Sequence, residues 1–268
     1  MLVQRRHATA ALLRWVLALA VGLTVTLASG CSASGTTAAA GLATATSTLA
    51  GAQAYVCNYA YDSEPGMTIT PIDLAAPRPE HRVTIGSLPS ALTSTPGGRQ
   101  ILVTAQGDNT LVVLDTAGND VAARVATGLE PDAVAVTPDG KTAVVANFGD
   151  GTVTPVDLAT MRALPAIAVG PGPTAIAISS ISPAGGAAAW VAVGASLVPV
   201  SLSALTPGPS VVVGHIAEAV AVTADGHTAW VAGEDGAITP VDLSTGRAGT
   251  GTRVGGRPSA IAIAPPWT

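Results

Sequence analysis

Lysine is almost missing from this sequence: Lys141 is the only one, and lysine and arginine together number 12 in 268 residues. Arginine supplies the other basic charges, and acids outnumber bases 17 to 12, so the chain is a poor partner for nucleic acid, which rewards clustered positive charge. Aromatic residues make up only 3% of the chain against 48% for hydrophobic residues as a whole, so a core here is built from Ala, Val, Ile and Leu. There are two cysteines, Cys31 and Cys57, too few for a disulfide framework. The apolar run at the start, Trp15 to Ala28, is too short for a comfortable membrane span. No G-x-S-x-G elbow, H-E-x-x-H, C-x-x-C or P-loop occurs anywhere.

What the chain does have is repetition. The stretch from Pro131 to Leu158 contains three short apolar runs, 133–136, 143–146 and 152–158, separated by Pro138-Asp139-Gly140 and by the polar break 147–151. Proline fixes one φ of such a turn and glycine supplies a positive one, so the pattern reads as an antiparallel meander. The opening run recurs from Pro89, Pro131, Pro173, Ala217 and Pro258. The third run ends at Asp73, Asp115, Asp157, Ser201 and Asp242, in steps of 42, 42, 44 and 41 residues. Two independent markers with one period of about 40–45 residues predict an all-β fold, a β-propeller. The repeated aspartates cap turns: each can accept backbone N–H groups of the residues that follow.

YVCN at 55–58, VVAN at 144–147, TVTPVDL and VTPDGK resemble the YVTN-type β-propeller repeat from about Ala54 onward. The resemblance implies a strand order within each blade. The run after the proline is the innermost strand A, the YVTN run is B, the run ending in Asp is C, and D is outermost. On that assignment the chain starts with B, C and D of one blade and ends with a lone A run, Pro258 to Ala264. The expectation is therefore a five-bladed β-propeller over 54–268, closed by the C-terminal innermost strand, which also removes an exposed edge. The family more often has seven blades. Trp190 and Trp230, at matching places in two B runs, are expected to pack between blades.

Residues 1–30 read as an export signal: Arg5, Arg6 and Arg14 precede the apolar run, and no acid occurs before Asp62. Leu27-Ala28-Ser29-Gly30-Cys31 resembles the lipobox of bacterial lipoproteins, with Ala28 where that family most often has Leu. The resemblance implies lipidation of Cys31, an N-terminal lipid anchor, and residence on the outer leaflet of the cell membrane. A plain secretory signal is the alternative, and it leaves room for a Cys31–Cys57 disulfide instead of a buried Cys57 thiol. Residues 31–53 are the lipidated cysteine and an Ala/Thr/Ser/Gly tether with too little apolar surface to order itself. Removing 1–30 takes away three arginines and no acid, leaving 9 basic and 17 acidic side chains, a net charge of −8.

In a propeller the B–C and D–A loops open on one face and the A–B and C–D turns on the other. The first face collects Asp62, Glu64, Asp108, Asp150, Glu234 and Asp235 from B–C loops, with Glu130, Asp132, His215, Glu218 and Arg257 from D–A loops. The second is mixed, with Arg99, Lys141, Arg162, Arg247, His227, Asp139 and Asp225. The B–C loops differ from blade to blade, whereas the A–B turns keep one pattern, so the candidate binding face is Asp108, Asp132, Asn147, Asp150, His215, Glu218, Glu234, Asp235 and Arg257. Two functions follow. One is a monomeric, non-catalytic binding scaffold for a protein or cell-envelope ligand, with no cofactor. The other is a small lactonase-like hydrolase whose acidic loops supply oxygens to calcium.

Overall fold

Short runs of small and β-branched residues, each ended by a glycine turn, can satisfy their backbone only by pairing with one another. The computed structural model describes residues 52–58, 67–76 and 78–264; the leader, Cys31 and most of the tether, with Asp62 and Glu64, lie outside the described residues. Those runs form five antiparallel sheets, one after another along the chain, and no α-helix is present among the described residues. The all-β propeller architecture read from the repeat is what the chain adopts.

Inner strands are Pro89–Ser94, Pro131–Val136, Pro173–Ser179 and Ala217–Val222, beginning at the expected residues. Each pairs with a second strand, Gln100–Ala105, Thr142–Asn147, Ala188–Val193 or Thr228–Gly233. Third strands follow at Thr110–Asp115, Thr152–Asp157, Ser196–Ser201 and Ala237–Asp242. Sheet 1 holds a second strand, Gln53–Asn58, a third, Thr68–Asp73, and outer pieces, but no inner strand among the described residues.

The sheets stack face to face. Leu102, Leu111 and Val113 of sheet 2 share one core with Ala143, Val145 and Val156 of sheet 3. The next core joins Val144, Ala146 and Val153 of sheet 3 to Ala189, Val191 and Val200 of sheet 4. Trp190 is fully buried between sheets 4 and 5 with Val231, Val241 and Leu243. Cys57 is half-buried beside Tyr55 and Ile69, where sheet 1 meets sheet 2. Each such Val or Leu stabilises the stack by about 1.5–3 kcal/mol.

Outer strands break the expected symmetry for an identifiable reason. The fourth residue of the third strand is Pro71, Pro155, Pro199 and Pro240 in four sheets and Val113 in sheet 2. Proline has no N–H for the neighbouring strand, so the ladder fails there. Sheet 2 alone has a continuous outer strand, Asp120–Ala126. Elsewhere it is two short pieces, such as Arg162–Ala163 and Ile167–Ala168. The chain between them bonds back only to the proline carbonyl: Leu164 N–H to Pro155 at 2.8 Å, Gly208 N–H to Pro199 and Gly249 N–H to Pro240, both at 2.7 Å.

The closing strand differs from expectation. Pro258 to Ala264 forms no strand, and most of its side chains are exposed. Every other inner run is tied to its second strand by a short turn, whereas this one must meet Gln53–Asn58 from the far end of the chain, at a loop-closure cost for the whole domain. The lack of a fifth inner strand among the described residues shows in burial. Val56 is 39% exposed and Trp230 half-buried, while their counterparts Val145 and Trp190 are fully covered.

Candidate functional site

On the turn face Thr95, Thr137 and Thr223 Oγ1 each accept the N–H five residues on, an aspartate joins that set in sheets 3 and 5, and in sheet 4 Ser182 instead donates to the Gly185 carbonyl. Thr137 Oγ1 donates to Asp139 Oδ1 at 2.6 Å and accepts the Thr142 N–H at 3.0 Å; Thr223 does the same with Asp225 and Thr228 at 2.5 and 3.1 Å. These hydroxyl bonds are the main cause that holds the Asp139 and Asp225 carboxyls below the usual range. Asp73, Asp115, Asp157 and Asp242 accept N–H groups two residues on, at 2.7–2.9 Å. Ser201 accepts from Ala204 at 3.2 Å in their place. All four aspartates therefore serve their turns.

On the opposite face the B–C and D–A loops are hydrogen-bonded together. Phe148 and Gly149 N–H bond Glu130 and Leu129 carbonyls at 2.9 and 3.1 Å, and Gln106 and Gly107 bond Leu88 and Ser87 at 2.9 and 3.0 Å. Two of the candidate carboxylates serve this junction. Asp150 Oδ2 accepts the Leu129 N–H at 2.6 Å, and Asp108 Oδ2 accepts the Ser87 N–H at 3.1 Å. Asp235 accepts the Ala237 N–H at 3.1 Å and lies 4.0 Å from Arg253. Arg257 bridges Glu218 and Glu234 at 2.9 and 3.0 Å, so the start of the terminal segment is pinned to sheet 5. The bond to Glu218 leads in raising the guanidinium pKa further.

Asn147 and His215 lie beneath these loops. Asn147 is fully buried, and its Nδ2 donates to Thr152 and Thr154 Oγ1, both at 2.9 Å. Its Oδ1 is buried without a hydrogen-bond partner. Asn58 makes the same pair of bonds in sheet 1. In sheet 5 the matching residue is Gly233, and His215 fills the space: a Cβ on Gly233 would lie 2.1 Å from His215 Nδ1. His215 Nε2 is 2.9 Å from Thr239 Oγ1, the counterpart of Thr154. A loop histidine thus replaces a strand asparagine.

Asp132 is placed by a β-bulge. Ala146 pairs with Ala133 and Asn147 with Pro131, so Asp132 is skipped in the ladder. The same skip falls on Thr174 and Glu218, and in sheet 2 on the Ser90 region. Bulges re-aim a side chain out of the pleat. The hydroxyls there are used between sheets: Ser90 donates to the Pro131 carbonyl at 2.8 Å and Thr174 to the Ala217 carbonyl at 3.0 Å. Glu218 takes Arg257, but Asp132 has no cation among the described residues. Burial foremost, then the charges of Glu130 and Glu218, push its carboxyl above the usual range.

Apolar side chains share this face, and they carry no signal in a search for chemistry. Phe148, the chain's single phenylalanine, is 43% exposed, and Leu129 beside it is 53% exposed. The Phe148 ring lies on Gly172, where a Cβ would sit 3.2 Å from the ring; the position also needs φ +63°. Two clefts are formed elsewhere, one between sheets 4 and 5 by Pro199, Pro207 and Val211, the other at the turn face by Thr95, Arg99 and Asp139. Among the described residues no three of His, Cys, Asp and Glu are grouped as metal ligands.

No family model matches the chain, and no curated protein matches it. Among solved structures it is similar to Kuenenia stuttgartiensis hydrazine synthase, with a TM-score of 0.55 and 24% identity over 60% of this chain and 47% of that one. It is also similar to the dihydro-heme d1 dehydrogenase NirN in complex with DHE, with a TM-score of 0.59 and 18% identity over 76% of this chain and 44% of that one. The chain spans less than half the length of either. At such identities the likeness is one of fold.

Proposed function

We propose that this protein is an exported lipoprotein whose five-bladed propeller is a non-catalytic binding scaffold. Residues 1–30 direct export, Cys31 carries the lipid, 31–53 is the tether, and the loop face presents the partner site away from the membrane. Closure comes from Pro258 to Ala264 pairing with Gln53–Asn58. Sheet 1 lacks just this inner strand, and the segment has the small/β-branched alternation of the other four.

The observation that carries the reading is the asymmetry of the two faces. One keeps a related hydroxyl turn in three of its four inner turns, whereas the other holds unlike side chains on a hydrogen-bonded loop framework, the arrangement expected where a rigid fold presents a recognition surface. The hydrolase alternative asks for converging carboxylates, and Asp108, Asp150 and Glu234 are instead engaged with their own loops or with Arg257.

Photo-cross-linkers at position 129 of the full chain, compared with position 141 on the turn face, test the scaffold. A discrete envelope partner from position 129 and none from 141 is expected. Equal cross-linking from both, or none from 129, overturns it. Cys31→Ala separately tests the anchor: loss of lipid labelling and of membrane retention is expected, and unchanged labelling excludes the lipobox.

A further inference from the structure

We infer that the partner is an extended, basic protein segment with apolar side chains, seated on Leu129 and Phe148 with its charge toward Asp132 and Glu130; this rests on the scaffold reading above. Aromatics are scarce in this chain, and Trp190 and Tyr55 are in cores, yet Phe148 is displayed to solvent on a loop. Its support is specific, since the Gly172 backbone leaves space for the ring that any side chain there would take. Exposed apolar residues on a rigid rim mark interaction surfaces, and aromatics dominate their energetics.

Charge selects the occupant. Leu129, Glu130 and Asp132 lie within four residues, and the Phe148 N–H is bonded to the Glu130 carbonyl, so apolar and acidic groups are carried on neighbouring backbone. Asp132 has no cation among the described residues, and burial first, then the charges of Glu130 and Glu218, hold its carboxyl above the usual range. A cationic side chain would relieve that repulsion, whereas an anionic ligand would add to it. Leu129 and Phe148 stand exposed on outer loops, away from the clefts at Pro199 and Thr95, which suits a chain laid across them.

The test uses the full chain in detergent and three short synthetic peptides: one alternating arginine and leucine, one arginine and serine, one glutamate and leucine. The first should bind, weakening with salt, and more tightly than either other peptide. Phe148→Ser and Asp132→Asn should each weaken it by about tenfold with the fold retained, while Arg99→Gln on the turn face leaves it unaltered. Equal binding of all three peptides, or equal binding by Phe148→Ser and wild type, overturns the inference. If the arginine–leucine peptide fails while cross-linking from position 129 persists, the partner chemistry is wrong and the scaffold stands. If that cross-linking also fails, the scaffold reading falls with it.

Discussion

The turn face and the loop face of this protein are made from the same strands, yet they use polar residues in opposite ways. On the turn face Thr137 with Asp139 and Thr223 with Asp225 repeat one closed set of bonds, and each carboxylate is stabilised where it stands. On the loop face the same positions differ from sheet to sheet: asparagine in sheets 1 and 3 and glycine filled by histidine in sheet 5. The bulged residue is a hydroxyl in sheets 2 and 4 and an acid in sheets 3 and 5. A repeat that is kept on one side and diversified on the other separates the part that holds the fold from the part free to recognise something else.

Under the proposed closure of the ring, the largest effect is expected from removing the terminal segment. Deleting residues 258–268 removes Ile261 and Ile263, each worth about 1.5–3 kcal/mol once buried. Each lost ladder hydrogen bond costs about 1 kcal/mol more. Against a total stability of about 5–15 kcal/mol, the truncated chain should unfold or aggregate, as thermal melting and size exclusion would record. A monomer with unchanged melting temperature would mean that the terminal segment does not close the ring.

Next comes the loop-face plug. Gly233→Ala places a Cβ where His215 sits and should cost about 1–3 kcal/mol. The double variant Gly233→Asn with His215→Leu copies Asn147 and Leu129 of sheet 3 and should recover part of that loss. On the turn face Thr137→Val and Thr223→Val should each cost about 1 kcal/mol, and nearly the same amount, because they break equivalent bonds. Urea titration measures all four variants. Unequal costs at the two threonines would mean that these two turns are not equivalent.

Much of the fold was legible in the residues. Pro89, Pro131, Pro173 and Ala217 mark the strand starts, and the Asp-ended third strands cap their turns as read. The split outer strands were also written in the chain, in Pro71, Pro155, Pro199 and Pro240, but the signal lies one strand away from its effect. The candidate face was legible only as a list of charges. Asp108 and Asp150 look like ligand carboxylates until their N–H partners from the neighbouring loop are seen, and those partners are about 21 residues away in sequence. Bulges that single out Asp132 depend on strand register, which composition does not encode. Phe148 was visible as a lone phenylalanine, but its exposure depends on how Gly172 supports it.

Acid should separate the faces by the sign of their response. Asp139 and Asp225 have carboxyls held below the ordinary value by the Thr137 and Thr223 hydroxyls, so their stabilisation is present above the unfolded-state pKa and is lost as pH falls through the folded one. Asp132 is raised, chiefly by burial and then by Glu130 and Glu218, so the folded protein binds its proton more tightly than the unfolded chain does. Its ionised form is therefore a cost at neutral pH, and that cost is relieved as pH falls through the folded pKa toward the unfolded value. Asp139→Asn should lower the melting temperature at neutral pH, and Asp132→Asn should raise it slightly, by less than about 1 kcal/mol in stability. Both differences should shrink below the ordinary carboxylate range, where wild type and variants carry neutral groups at these positions. Melting curves from neutral pH down into the carboxylate range would show two lines converging on wild type from opposite sides. If Asp132→Asn instead lowers the melting temperature at neutral pH, its carboxylate has a partner that stabilises it, and the loop face would no longer offer an uncompensated acid to a cationic segment.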